Sequence, residues 1–303
     1  MVNEQQSLSR LNKRLRVCFS EDDNLRNLLD EQYFWSGQGF RGMLCLEVGN
    51  CLDIDPKIAT EVALFTELLH NASLVHDDII DRDEQRRGHP TIWKKYGPSK
   101  AILIGDLLIA KAFEIAMSSQ TNSSIKVKWS SLLSQTVLHA VKGAMNELDF
   151  DLFSESKVFN RYYDMATLKT GSLFALPVGC LASVASMNPK DTLTLTKSFS
   201  DLAVAYQIRD DQADFYGNKH GRNITSDISN GRPNLYHLLS TNASHSSDFE
   251  QDIASYHSRL VSNATDGLTT FDKSLREFVD QRVLPFIQLD SSLAQKPRLR
   301  ATV

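Results

Sequence analysis

Two short stretches carry three aspartates each at the same spacing: Asp77-Asp78-Ile79-Ile80-Asp81 and Asp210-Asp211-Gln212-Ala213-Asp214. On a helix, residues four apart share a face, which sets Asp77 beside Asp81 and Asp210 beside Asp214. Paired carboxylates suit a hard cation such as Mg²⁺, which takes oxygen ligands and is commonly held by a few carboxylates plus substrate phosphate oxygens. The plain alternative is a solvated acidic turn. With 25 aspartates in the chain, chance supplies one such triplet roughly 0.2 times per sequence, and two only about once in a hundred. Each cluster also follows an apolar helix, and acids at a helix C-terminus oppose the macrodipole, a cost that a bound metal offsets.

Cations flank both clusters. After the first comes Arg86-Arg87-Gly88-His89-Pro90-Thr91, a loop set by Gly88 and Pro90. Adjacent guanidinium forks there suit two phosphate groups, although two solvated arginines would read the same way. Lys169-Thr170-Gly171 precedes an apolar run, and Arg222 and Arg232 follow the second cluster in the glycine-containing loop from Gly221 to Pro233. Two metal-binding faces with flanking cations describe a site for a diphosphate.

The elements that must hold these residues read as helices. From Ile58 to Val75 the apolar positions Ile58, Val62, Phe65, Leu68, Leu69, Ala72 and Val75 recur in three- and four-residue steps, and Ala101–Met117 and Phe199–Ile208 behave alike. No alternating runs bounded by turn pairs mark a sheet. The expectation is an all-α fold of roughly ten helices forming a single domain over 1–303. Of the 303 residues 42% are hydrophobic, and the net charge is −4 with both signs interspersed, which excludes a nucleic-acid footprint. Cys18, Cys45, Cys51 and Cys180 form no C-x-x-C pair and read as reduced thiols of a cytoplasmic protein. The polar N-terminus does not resemble a signal peptide. Pro177 is expected to interrupt the run Leu173–Ala185, so no transmembrane segment is expected.

Together these residues resemble the trans-prenyl (polyprenyl) diphosphate synthases. The stretch Glu67–Asp106 carries E-x-x-H-x-x-S-L-x-H-D-D-x-x-D, then R-R-G-x-P-T, then G-D-x-L. Further matches are K-T-G at Lys169, Y-Q-I-x-D-D-x-x-D at Tyr206, and G-x-x-x-x-x-D-x-x-x-G from Gly221 to Gly231. The resemblance implies an antiparallel isoprenoid-synthase helical bundle around a central hydrophobic tunnel, usually a homodimer. It implies Mg²⁺ (three ions in the family, with Mn²⁺ as an alternative) held by Asp77, Asp81 and Asp210, with Asp78 and Asp214 in support. Arg86, Lys169, Arg232 and Arg222 would hold the allylic diphosphate. Gln38, Arg41, His70 and Arg87 would hold isopentenyl diphosphate, and Thr170 and Gln207 would line the reaction centre.

Two departures matter. Where the family has G-G-K-R, this chain has Gly37-Gln38-Gly39-Phe40-Arg41, so the lysine position holds a neutral glutamine and the acceptor site loses a charge. The family's G-Q or G-E pair is represented by Asn146-Glu147. A weakened acceptor half leaves open a class I terpene cyclase, a prenyltransferase with a non-isopentenyl acceptor, or a partner subunit of a heteromeric synthase. Ala72 and Ser73, the small residues five and four before Asp77, imply a geranylgeranyl-sized or longer product, with Leu69 as a deeper floor.

Overall fold

A computed structural model describes residues 4–19, 39–150, 157–217, 231–241 and 248–293. The chain forms α1 (Glu4–Val17), α2 (Phe40–Cys51), α3 (Pro56–Ile80), a two-stranded antiparallel ribbon of β1 (Gln85–Arg86) and β2 (His89–Pro90), α4 (Ile92–Tyr96), α5 (Pro98–Ser118) and α6 (Ser123–Leu148). It continues through α7 (Val158–Ala166), a π-helical turn at Thr167–Gly171, α8 (Ser172–Val184) and α9 (Pro189–Phe215). After these come α10 (Leu235–Thr241), α11 (Phe249–Leu268), α12 (Lys273–Phe278), a second π turn (Val279–Val283) and α13 (Leu284–Ile287). The all-α expectation holds. The thirteen α-helices among the described residues exceed the expected ten because α4, α10, α12 and α13 are four to seven residues long, too short to show a period.

The helices that matter start where the sequence supplies caps. Asp55 accepts the Lys57 N–H at 2.8 Å and Pro56 takes the first position of α3, where a missing N–H costs nothing. Asn122 accepts the Ile125 N–H at 3.0 Å ahead of α6, and Asn188 accepts the Asp191 N–H at 2.9 Å at the start of α9. The first cluster closes α3, with Asp81 as its C-cap. The second occupies the last two turns of α9.

The described residues fall into two compact units. One comprises residues up to Val137 together with Leu176–Thr192; the other comprises Leu138–Ala175 and the chain from Leu193 onward. The first is built on α2, α3 and α5, with Leu44, Val48, Val62, Phe65 and Leu108 fully buried. Trp129 meets Phe65 edge-on at 5.4 Å and donates its indole N–H to the Cys180 carbonyl at 3.1 Å. The second unit gathers Tyr162, Met165, Val204, Ile208, Leu235, Tyr236, Phe249 and Ile253 into one core.

Pro177 does not interrupt the chain as expected. It lies inside α8, and α7, the π turn and α8 form one run, Val158–Val184. By length and composition alone this run could cross a membrane, but 72% of its most apolar window is buried within the protein, as in a core helix. An interior proline costs about 3 kcal/mol. The burial of Phe174, Leu176, Val178 and Leu181 contributes roughly 1.5–3 kcal/mol each and offsets it. All four cysteines are free thiols, and burial raises those of Cys45 and Cys180 well above the ordinary range.

Candidate active site

In the first unit, the end of α3 and the ribbon after it form one structure. The Asp83 N–H returns to the Asp78 carbonyl at 3.0 Å, and the Asp83 carbonyl accepts Thr91 Oγ1 and Trp93 Nε1, each at 2.8 Å. Arg87 and Gly88 take left-handed conformations at the ribbon's turn, a geometry that glycine adopts without strain. The ribbon thereby delivers Arg86 onto the cluster. Its Nε donates to Asp78 at 2.9 and 3.1 Å and its Nη2 at 2.5 Å. Asp78 is buried and committed to a guanidinium fork, while Asp77 and Asp81 are the pair that share a helix face.

Two turns before the cluster on α3, His70 Nε2 lies 3.0 Å from Arg41 Nη1 of α2. Burial, then Arg41, Arg87 and Arg86, hold the His70 imidazole well below its ordinary pKa. It is therefore neutral, with Nε2 accepting from Arg41. Glu67, one turn earlier, is buried and accepts the Gly42 N–H at 2.7 Å. Burial raises its pKa, and Arg41, that N–H and Arg87 oppose the rise. Glu67 thus satisfies an orphan donor in the first turn of α2, the turn that carries Arg41. A side chain at Gly42 would collide with Leu11 and crowd Glu67. Arg41, Arg86 and Arg87 gather around His70, with Arg41 and Arg87 also acting on Glu67, and Gln38 lies outside the described residues. Ala72 and Leu69 are buried, and Ser73 donates to the His70 carbonyl at 2.8 Å.

In the second unit, Lys169 and Thr170 sit in the π turn, the kind of helical bulge that re-aims side chains at functional sites. Gly143 on α6 passes so close that a Cβ there would strike the Lys169 backbone, and a Cβ at Gly171 would strike Ser200 Oγ. Glu147, four residues after Gly143 on the same face of α6, forms an ion pair with Lys169. Thr170 Oγ1 donates to Gln207 Oε1 at 3.1 Å, and Gln207 Nε2 donates to Asp211 Oδ1 at 3.0 Å. Tyr162 O–H and the Leu235 N–H both donate to Asp211 Oδ2, at 2.7 and 2.9 Å. Asp210 is half-buried and Asp214 fully buried. Arg232 is half-buried between Gly231 and Pro233, and Arg222 lies outside the described residues.

Each cluster therefore has the same plan. Its middle aspartate is bound by protein donors, while the first and last are spaced to share a helix face. A family model for polyprenyl synthetase matches residues 22–264. The chain belongs to the polyprenyl synthetase family. Membership makes it a prenyltransferase in class. Among curated relatives, a short chain isoprenyl diphosphate synthase of Methanocaldococcus jannaschii is 31% identical over 245 residues, 80% of this chain and 74% of that one. The octaprenyl diphosphate synthase of Escherichia coli is 27% identical over 238 residues, 76% and 70% of the two chains. The solved geranylgeranyl pyrophosphate synthetase of the archaeon Geoglobus acetivorans superposes with a TM-score of 0.75 at 23% identity, covering 94% of this chain and 99% of that one. That likeness fixes the fold as the isoprenoid-synthase helical bundle.

Tyr162 and Trp93 are the polar partners that motif reading passed over, whereas Glu67 opens the first motif and Glu147 stands in the Asn146-Glu147 pair. Tyr162 and Trp93 are single residues with no spacing to mark them.

Proposed function

We propose that the chain condenses an allylic diphosphate with isopentenyl diphosphate to give a geranylgeranyl-sized or longer prenyl diphosphate. The observation that carries this reading is the pair of like-spaced aspartate clusters at the ends of α3 and α9, each with a cation-bearing segment beside it, and Asp77, Asp81 and Asp210, with Asp78 and Asp214 in support, would hold the metal. The donor set suits a hard cation. It is all carboxylate, and substrate oxygens would complete the coordination, the usual arrangement for Mg²⁺, with Mn²⁺ as a substitute. When bound, the metal would neutralise charge on the departing diphosphate.

The chain's own residues support the rest. Lys169 and Arg232 would hold the allylic diphosphate, and Arg86 would contribute charge beside it while fixing Asp78. Arg41, Arg87 and neutral His70 form the cationic group suited to isopentenyl diphosphate. Thr170 and Gln207 would face the allylic carbon, and apolar helices would keep water from the cation. A homodimer belongs to this reading, supported by the exposed apolar stripe Leu138, Val141, Met145 and Leu148 on α6. So does a cytoplasmic setting, supported by four free thiols.

The test is incubation of purified protein with Mg²⁺ and C5 to C20 allylic diphosphates, with and without isopentenyl diphosphate, reading products by mass. Elongation that requires isopentenyl diphosphate and stops in EDTA is expected. Diphosphate release from the allylic substrate alone would indicate cyclisation, and no consumption in any mixture would defeat the proposal.

A further inference from the structure

Asp211 accepts more protein hydrogen bonds than its place in a metal-binding motif requires. It is 2% exposed. Tyr162 O–H and the Leu235 N–H hold Oδ2, Gln207 Nε2 holds Oδ1, and Asn234 Nδ2 holds its main-chain carbonyl at 2.9 Å. Tyr162 and Asn234 are fully buried. Burial, then Asp211 itself, push the Tyr162 phenol well above its ordinary pKa, so the hydroxyl keeps its proton and donates.

These bonds fix the direction of a line. A carboxylate only accepts, so the Gln207 amide must turn its nitrogen toward Asp211. Its oxygen then faces Thr170, and the Thr170 proton must go to Gln207. The Thr170 oxygen is left with lone pairs only. A hydroxyl that donates into a line ending on a buried carboxylate is polarised toward negative oxygen.

We propose that Tyr162 is a positioning residue that, through Asp211, sets the direction and polarity of the Gln207–Thr170 hydrogen bond and so keeps the Thr170 oxygen an acceptor for an electron-poor carbon. The identity of that carbon as the allylic centre of a prenyl diphosphate rests on the function proposed above. The hydrogen-bond line does not. Tyr162 orients Asp211 by sharing Oδ2 with the Leu235 N–H, which leaves Oδ1 turned to Gln207. Without the phenol, the carboxylate loses one buried donor and rotates to recover it.

The experiment is a double-mutant cycle between Y162F and Q207L on the full chain, with geranyl diphosphate, isopentenyl diphosphate and Mg²⁺, and with thermal melting as the control for folding. Y162F is expected to lower kcat about tenfold with both KM values within about twofold, since one charge-assisted hydrogen bond is lost away from the binding groups. In the Q207L background, where the line is already cut, the same change is expected to cost under about twofold. Equal losses in both backgrounds, or a lowered Tm with kcat intact, would overturn the proposal. If Y162F does not fold, D211N takes its place in the cycle, and an unchanged kcat there overturns it equally. A second readout needs no turnover: the Gln207 side-chain amide resonance of ¹⁵N-labelled protein is expected to shift in Y162F. An unmoved resonance rejects the role of Tyr162 whatever the protein catalyses. A shifted resonance in a protein inert toward every isoprenoid would keep the line and reject the reaction.

Discussion

At the scale of single residues, spacing marks groups that stand in sets and passes over those that stand alone. Asp77 and Asp81, Asp210 and Asp214, and Arg86 with Arg87 are legible because two or more residue types stand at intervals that only a helix face or a tight loop explains. Tyr162 sits alone among apolar residues, where a core residue and a positioning residue look the same. Arg86 gives the sharpest test. It reads from sequence as a phosphate ligand, and its fork closes on Asp78, so under the proposed function it would also order the aspartates around a cation. Arg86→Lys keeps the charge and loses the two-point geometry. We expect kcat/KM to fall about tenfold and the Mg²⁺ concentration for half-maximal rate to move by more than about twofold. A Mg²⁺ titration unchanged from the parent would show that Arg86 does not order the cluster. His70 gives a second test. Its folded pKa is depressed, by burial first and then by Arg41, Arg87 and Arg86. Below about pH 6.5 the unfolded chain takes a proton that the folded chain refuses, so stability is present above that value and lost as pH falls toward the folded pKa. His237 and His257 shift the same way. His70→Gln should therefore reduce, without abolishing, the drop in urea midpoint between pH 7 and pH 5, and a drop of undiminished size would count against a buried neutral imidazole.

At the scale of elements, the apolar stripe and acidic C-terminus of α3 were legible, while its Asp55 cap and first-position Pro56 emerged in the structure. The π turn was not, because Lys169-Thr170-Gly171 carries no periodic mark of an i→i+5 bond; in the structure Gly143 lies against its backbone. Pro177 misled in the opposite sense, since local propensity yields to burial in so apolar a helix. The element that bears most on outcome is α3. Ala72 is 1% exposed and lies two residues after His70 on α3, with Leu69 buried one turn before it. If this face borders the growing chain, its small side chains set the room available. Ala72→Phe adds a ring where there is a methyl, so we expect the main product to shorten by at least one C5 unit while consumption of the starter continues. Product mass measured on a folded variant decides the matter, and an unchanged length would place the growing chain elsewhere.

At the scale of the whole molecule, helix periodicity and the absence of alternating runs sufficed for the all-α class, whereas the division into two compact units has no mark in composition. Neither does an oligomeric state, which rests on surface. On α6, Leu138, Val141, Met145 and Leu148 stand 57%, 54%, 56% and 66% exposed, at steps of three, four and three residues that keep them on one face. Single exposed apolar residues need no explanation, but a contiguous stripe along one helix costs solvation unless something covers it. A second copy of the chain is the occupant that the family resemblance supplies, and a two-fold interface presents the same stripe from both sides. Val141→Asp, at the middle of the stripe, would put two carboxylates into such an interface without touching the core of either unit. The parent protein is expected to have the mass of a dimer by light scattering at micromolar concentration. The variant is expected to have that of a monomer, with far-ultraviolet circular dichroism unchanged because the helix itself is not altered. Because Gly143 and Glu147, which pack against and pair with Lys169, lie between Val141 and Leu148 on the same helix, loss of the dimer should also loosen the π turn. The dissociated variant should then bind its allylic substrate more weakly. A monomeric variant with the parent's affinity would separate the stripe from the site, and a dimer that survives the substitution would move the interface off this face of α6.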